Sequence, residues 1–251
     1  MSHQSSPHYS HFKTLSGNWF EYHGECDLVF MHAAGFKDGK DIAVHARTSI
    51  RQSYSFITSA AVRIGESTLE VASYGAYAFN GVDSADLSKE TFEGYKINYY
   101  KPNKKNTIFE IVFSDSQKIV LSAFKDLVAI KMIGFGSEFA NSSGLLGTTE
   151  GKLLGRDGVT EFTDMNAFGQ EWQVRDTEPM LFRSARAPQF PTETCRLPKV
   201  SMEDTRRRLG EGMAREKAER ACAHFSGVQF ENCVFDVMAV GDIELAQAGA
   251  Y

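Results

Sequence analysis

The sequence predicts a mainly β protein, an antiparallel β-sandwich with a small C-terminal α-helical appendage. Apolar and polar residues alternate with period two along many short runs, and those runs are bounded by Gly, Asn, Asp and Ser. The alternation gives way to helical spacing only after a cluster of prolines. Such alternation suits two sheets packed face to face, because each strand then buries one side and solvates the other. With 251 residues, 42% hydrophobic and 24% charged, the chain can bury a sizeable core and is too apolar for whole-chain disorder.

Residues 1–11, polar and rich in Ser and His, read as a flexible lead-in, with His3, His8 and His11 on a solvated tail. From Phe12 to Arg183 the period-two signal dominates. Phe20–His23 and Asp27–Phe30 flank Gly24-Glu25-Cys26, and Ile42–Thr48, Ala60–Ile64 and Thr68–Val71 are β-branched runs, with Gly65-Glu66-Ser67 as a hairpin loop. The clearest stretch is Thr107–Ile133. Phe109, Ile111 and Phe113 face away from Ile108, Glu110 and Val112. Ile119, Leu121 and Ala123 then alternate with Lys118, Val120 and Ser122, and Val128, Ile130 and Met132 begin a third run. Ser114–Gln117 and Lys125-Asp126 supply the turns of an antiparallel meander.

Residues 12–183 therefore read as the sandwich and residues 184–200, with Pro188, Pro191 and Pro198, as an extended connector. Residues 201–251 read as a helical tail. Ser201 and Asp204 offer a helix start, and Glu211–Phe225 places Met213, Ala218, Ala221, Cys222 and Phe225 on one stripe. A second short helix is expected over Asp242–Gln247.

The formal net charge of -5 carries no basic excess that would advertise nucleic acid. No run of about 20 apolar residues could span a membrane as a helix. Arg206-Arg207-Arg208 reads as a solvated face, with a processing site as the sharper alternative. Cys26, Cys195, Cys222 and Cys233 allow two disulfides in any of three connectivities, or four buried thiols, and none has Cys-x-x-Cys spacing. His23-Gly24-Glu25-Cys26 matches half of a zinc-deaminase signature, but the Pro-Cys-x-x-Cys half is missing. The chain has no His-Glu-x-x-His, Gly-x-Ser-x-Gly or Walker loop, so no catalytic constellation is read and a non-enzyme is expected. Tyr95, Tyr99 and Tyr100, beside Lys101, Lys104 and Lys105, form the best candidate for a partner surface.

Three blocks carry a family resemblance. Phe20–Cys26, Ser143-Gly144-Leu145-Leu146-Gly147 and Asp164–Val174 resemble, in order and spacing, the early strand with its glycine and cysteine, the glycine-leucine-cysteine-glycine loop, and the closing Asn, Phe-Gly and Trp segment of a von Willebrand factor type D domain. Leu146 stands where that family has a cysteine, and His8-Tyr9-Ser10-His11 poorly matches its usual opening. The resemblance covers about residues 11 to 195 and implies a disulfide from Cys26 to Cys195, which leaves Cys222 and Cys233 to staple the tail.

It also implies a calcium loop after the glycine-leucine motif, at Thr148–Gly158. There only Glu150 and Asp157 offer carboxylates, while Leu153 and Leu154 offer no side-chain oxygen and Lys152 and Arg156 repel the ion. A degenerate site and no required cofactor are expected. The implied role is a secreted, disulfide-bonded module that binds other protein chains or self-assembles in an adhesive layer, with no nucleic-acid partner. The polar start lacks a signal-peptide core, so the sequence is expected to be a piece of a longer secreted protein. Asn141-Ser142-Ser143 is an N-glycosylation sequon in that setting. The alternative is an enzyme or small-ligand binder with a cleft near His23, Asp157 and Asp164. A second alternative is a domain stabilised by calcium.

Overall fold

The computed structural model describes residues 3–6 (backbone only), 11–51, 54–134, 139, 141–184, 193–199 and 215–247. The strands are β1 (His3–Ser6), β2 (His11–Lys13), β3 (Trp19–Glu21), β4 (Asp27–Lys37), β5 (Lys40–Arg51), β6 (Tyr54–Ile64), β7 (Ser67–Ala72), β8 (Tyr77–Phe79), β9 (Val82–Asp83), β10 (Thr91–Phe92), β11 (Tyr95–Asn103), β12 (Asn106–Ser114), β13 (Gln117–Phe124) and β14 (Leu127–Ile133). One antiparallel sheet has the order β1-β14-β13-β12-β11-β10, a second β4-β5-β6-β7-β8-β9, and β2 and β3 form a small third ladder. The two large sheets pack face to face as a sandwich.

The inner faces carry the predicted alternation. Phe109, Ile111, Leu121, Val128, Ile130 and Met132 meet Ile42, Val44, Val62, Ile64, Leu69 and Val71 in one core. Register keeps the faces in phase: Ile111 opposes Ile119 and Ile119 opposes Met132, while Val62 opposes both Val44 and Leu69. The expected turns at 114–117, 125–126 and 65–67 join these strands.

Among the described residues strands end at Ile133, earlier than the period-two signal suggested. Residues 141–184 are irregular except for α1 (Met165–Glu171), and Asp164 caps that helix by accepting from the amides of Asn166 and Ala167. Within the closing block of the resemblance, Gln173 forms an isolated bridge with Leu28.

The lead-in also needs correction. His3–Ser6 pair antiparallel with Ile130–Ile133, closing an edge of the first sheet. His11 is only 3% exposed. Its Nδ1 lies 3.3 Å from Glu21, its Nε2 lies 3.7 Å from Asp236, and its ring meets Phe235 edge to face. Hydrogen bonding to His11, then to His23, holds the Glu21 carboxyl far below its ordinary range despite burial.

The tail contains α2 (Arg215–Cys222), α3 (Gly227–Val240) and a 3-10 turn at Ile243–Gln247. The longest helix among the described residues, α3, was not anticipated, and the expected second helix is that 3-10 turn. Ser201, Asp204, Arg206, Arg207, Arg208, Glu211 and Met213 lie outside the described residues, as do Pro188 and Pro191 of the connector. Ala218, Cys222, Cys233, Val234, Val237 and Leu245 pack on Tyr54, Phe56, Phe124, Leu127 and Ala129. Leu127 and Ala129 alternate with Val128 and Ile130, so the tail covers the outer face of the first sheet.

Candidate functional site

The three sequence blocks converge on β4, an edge strand of the second sheet. Its backbone would be open on that side. Instead, Val29 donates to the carbonyl of Trp172 at 2.8 Å and accepts from Leu145 at 3.1 Å, His32 and Ser143 exchange two bonds of 2.8 Å, and Val174 donates to Asp27 at 2.8 Å. Gly144 can lie this close because it has no side chain: at φ +122, a Cβ would stand 2.8 Å from the Phe30 carbonyl. Gly24 and Gly169 flank the fully buried ring of Tyr22, which a Cβ on either would overlap.

Cys26 and Cys195 are bonded, with Cα atoms 5.3 Å apart across 169 positions, and Cys222 is bonded to Cys233. Both pairings match those implied by the resemblance. Beside the first bond, Glu25 accepts from the Ile50 amide and the Arg196 guanidinium, each at 2.7 Å. The connector is thus fastened at residues 195–196 to the start of β4 by a covalent bond, an ion pair and a backbone bridge.

Residues 175–184 cross the outer face of the second sheet as a strap. Leu181 and Phe182 pack on Ala43 and Ala61. Arg47 binds Asp27 through two bonds of 2.7 Å, donates to the Ser184 carbonyl at 2.7 Å, and lies 4.4 Å from the Phe182 ring centroid. Beneath the strap is a cleft of about 350 Å³ over His32, His45 and Arg63. Arg156 forms one wall. It stacks on Trp172 at 4.7 Å, donates to the carbonyls of Glu171 and Gln173, and pairs with Glu178.

His45 is buried on β5 opposite Ala61, and Arg63 on β6 opposes Ala43, so small partners leave room between them. Burial, reinforced by the neighbouring Arg63, His32 and Arg156, pushes the His45 imidazole down to about 3, so it is neutral at pH 7. His45 Nδ1 and Arg63 Nε are both buried without a hydrogen-bond partner. Sequence reading missed both residues. Their only signal was polarity at alternating positions, which looks identical on a face open to water.

A larger cleft, about 810 Å³, lies along β11 and is lined by Tyr77, Tyr99, Tyr100, Asp86 and Ser88. Tyr99 and Tyr100 are 39% and 46% exposed. Lys101 lies 5.9 Å from the Tyr99 ring, and Lys104 is exposed. The rest of the proposed surface group is engaged elsewhere: Tyr95 donates to Asp38, and Lys105 pairs with Asp242 and Glu244 of the tail.

None of His23, Asp157 and Asp164 lines either cavity above. His23 is buried beside Glu21, Asp157 accepts from Val159, Thr160 and the Thr160 hydroxyl, and Asp164 caps α1. Glu150 is exposed and accepts from Thr149. Among the described residues, no group of three or more His, Cys, Asp or Glu is placed to hold a metal ion. Asn141 is exposed. No helix among the described residues is long and apolar enough to cross a membrane. No family model matches the chain, and no curated protein matches it.

Proposed function

We propose that the chain is a non-catalytic, extracellular protein-interaction or assembly module of the von Willebrand type D class. The observation that carries this reading is the Cys26–Cys195 bond, formed where the Phe20–Cys26 block runs into β4, whose edge the Ser143–Gly147 and Asp164–Val174 blocks line. Structural disulfides persist in oxidising compartments and are rare where thiols are kept reduced. A second bond, in a tail already packed on the sandwich, fits the same setting. Tyr99 and Tyr100 offer the partner-facing surface, since exposed aromatics supply contact area at low entropic cost. The Asn141 sequon sits at an exposed position open to a glycan.

Native secreted material provides the test. Mass mapping under non-reducing conditions is expected to recover the Cys26–Cys195 and Cys222–Cys233 peptides with no free thiol. Four reactive thiols in denaturant would remove the extracellular framework, and the family reading with it. A rise in melting temperature with added calcium would instead favour the calcium-stabilised alternative.

A further inference from the structure

We propose that the open edge of β11 takes in an extended, acidic segment of a partner protein, which adds to the first sheet as an antiparallel strand. The inference rests on the module reading above and names the chemistry of the partner.

The edge is open because β10 is short. Thr91 and Phe92 cover only Lys96 and Tyr95, and a two-residue turn, with Glu93 and Gly94 at φ 55 and 93, closes that hairpin. Phe92 and Tyr95 flank the turn and exchange both backbone bonds, and every second residue of β11 then turns its N–H and C=O to the same side. Lys96, Asn98 and Tyr100 therefore bond to β12, where they face Val112, Glu110 and Ile108. Ile97 and Tyr99 point the other way, past the end of β10, and no strand among the described residues pairs with them there. This edge borders the cleft of about 810 Å³. The 84–90 segment forms the opposite wall, and the Tyr77 hydroxyl holds it by donating to the Ala85 carbonyl at 2.7 Å. Tyr77, Leu87 and Tyr99 line the groove, so alternate side chains of an added strand meet apolar surface. Beyond Tyr100 the register shifts and Pro102 follows, which limits the pairing to about four residues.

Charge selects the partner. Lys96, Lys101 and Lys104 lie along this edge and its turn, all exposed, and none makes an ion pair among the described residues. The nearby acids are mostly engaged. Asp86 is matched by Lys89, Glu110 by Lys118, and Asp38 accepts from Tyr95, which leaves Glu90 against three lysines. A second copy would bring three more lysines to the same ribbon, and like charges across a ladder destabilise it. Edge lysines thus ward off another such edge, while they attract a strand that carries carboxylates.

The test uses the full chain and three capped hexapeptides: alternating Val-Glu, alternating Val-Lys, and the Val-Glu peptide N-methylated at each Val. In an antiparallel pair, the residues opposite Ile97 and Tyr99 share their inward face, so the methyl groups on Val remove the donors that this edge requires. Hydrogen exchange is read amide by amide at low ionic strength. Millimolar Val-Glu is expected to slow exchange at Ile97 and Tyr99 by about fivefold or more and to leave Asn98, already bonded to β12, unchanged. The other two peptides are expected to protect neither amide. Lys96→Glu combined with Lys101→Glu, both at exposed positions, should reverse the preference toward Val-Lys. No protection by Val-Glu, equal protection by Val-Lys, or protection by the N-methylated peptide overturns the proposal. So does protection of the same amides that rises with protein concentration alone, which gives the edge to a second copy. Each of these is read on the unmutated protein, so the outcome stands even if the variant misfolds. None alters the disulfide map on which the module reading stands, whereas four free thiols would remove that reading whatever the peptides do.

Discussion

Tyr22 is fully buried with glycine close on two sides, Gly24 of its own segment at the hydroxyl end and Gly169 of α1 along the Cδ2–Cε2 edge. Gly169 lies inside a helix, where alanine would ordinarily gain about 1 kcal/mol. Here the added carbon would overlap the Tyr22 ring, and overpacking a rigid core costs roughly 1–3 kcal/mol. The second effect wins, so Gly169→Ala should destabilise by up to about 2 kcal/mol, seen as a lower denaturation midpoint at unchanged slope. The three atoms nearest the added carbon all belong to Tyr22, so combining Gly169→Ala with Tyr22→Ala should cost less than the two changes added. Strict additivity would mean that Tyr22 is not the obstacle. Both glycines stood in blocks singled out from the sequence, but nothing in a linear reading shows which ring lies between them. His11 was illegible for the same reason: its partners Glu21 and Asp236 lie on β3 and α3, and only tertiary packing joins them.

At the scale of elements, the meander from Asn106 to Ile133 was readable because a sandwich makes every strand alternate, and alternation is local information. The 141–184 segment has no period, since its backbone is satisfied by β4 rather than by a ladder of its own. Helix α3 escaped because it lacks a clean polar face: Cys233, Val234 and Val237 are buried in the tail core, while Phe230, Phe235 and Met238 pack at its margins. What holds the tail down can be ranked. Each large apolar side chain buried against Phe124 and Leu127 contributes about 2 kcal/mol, more than any single ion pair at the rim. Asp242 adds orientation by accepting Lys105 at 3.0 Å and Lys125 at 2.5 Å. Burial raises its pKa, but the hydrogen bonds from Lys125 and Lys105 outweigh that and leave it below the ordinary 3.8. A depressed carboxylate stabilises the fold above its unfolded pKa, and that stability is lost as pH falls through the folded value. Asp242→Asn should therefore cost about 1 kcal/mol near neutrality, with the deficit shrinking below about pH 4. Hydrogen exchange of α3 amides checks this. A deficit that does not depend on pH would show that the lysine pairs are not its source.

For the molecule as a whole, the decisive link is covalent. The sandwich closes its own core, and the strap and connector are held to it by backbone bonds, the packing of Leu181 and Phe182, ion pairs of Arg183 and Arg196, the Arg47 anchor and the Cys26–Cys195 bond. That pairing came from the family resemblance rather than from cysteine spacing, because four cysteines leave three connectivities open. Its energetic weight follows from loop length. Closing 169 positions restricts the unfolded chain by about 5 kcal/mol, whereas closing 11 in the tail restricts it by about 3 kcal/mol. Domains of this kind are stable by only about 5–15 kcal/mol, so the longer loop accounts for a large share. Replacing Cys26 and Cys195 together with serine should lower the denaturation midpoint more than replacing Cys222 and Cys233. The effects should also differ in place. The first pair should speed exchange of the Val29 and Val174 amides, which bridge β4 to the 172–174 segment. The second should loosen α2 and α3 and leave β4 protected. Equal losses from the two pairs, or unchanged protection at Val29 and Val174, would mean that β4 is sealed without the bond and that the clamp is incidental to the fold.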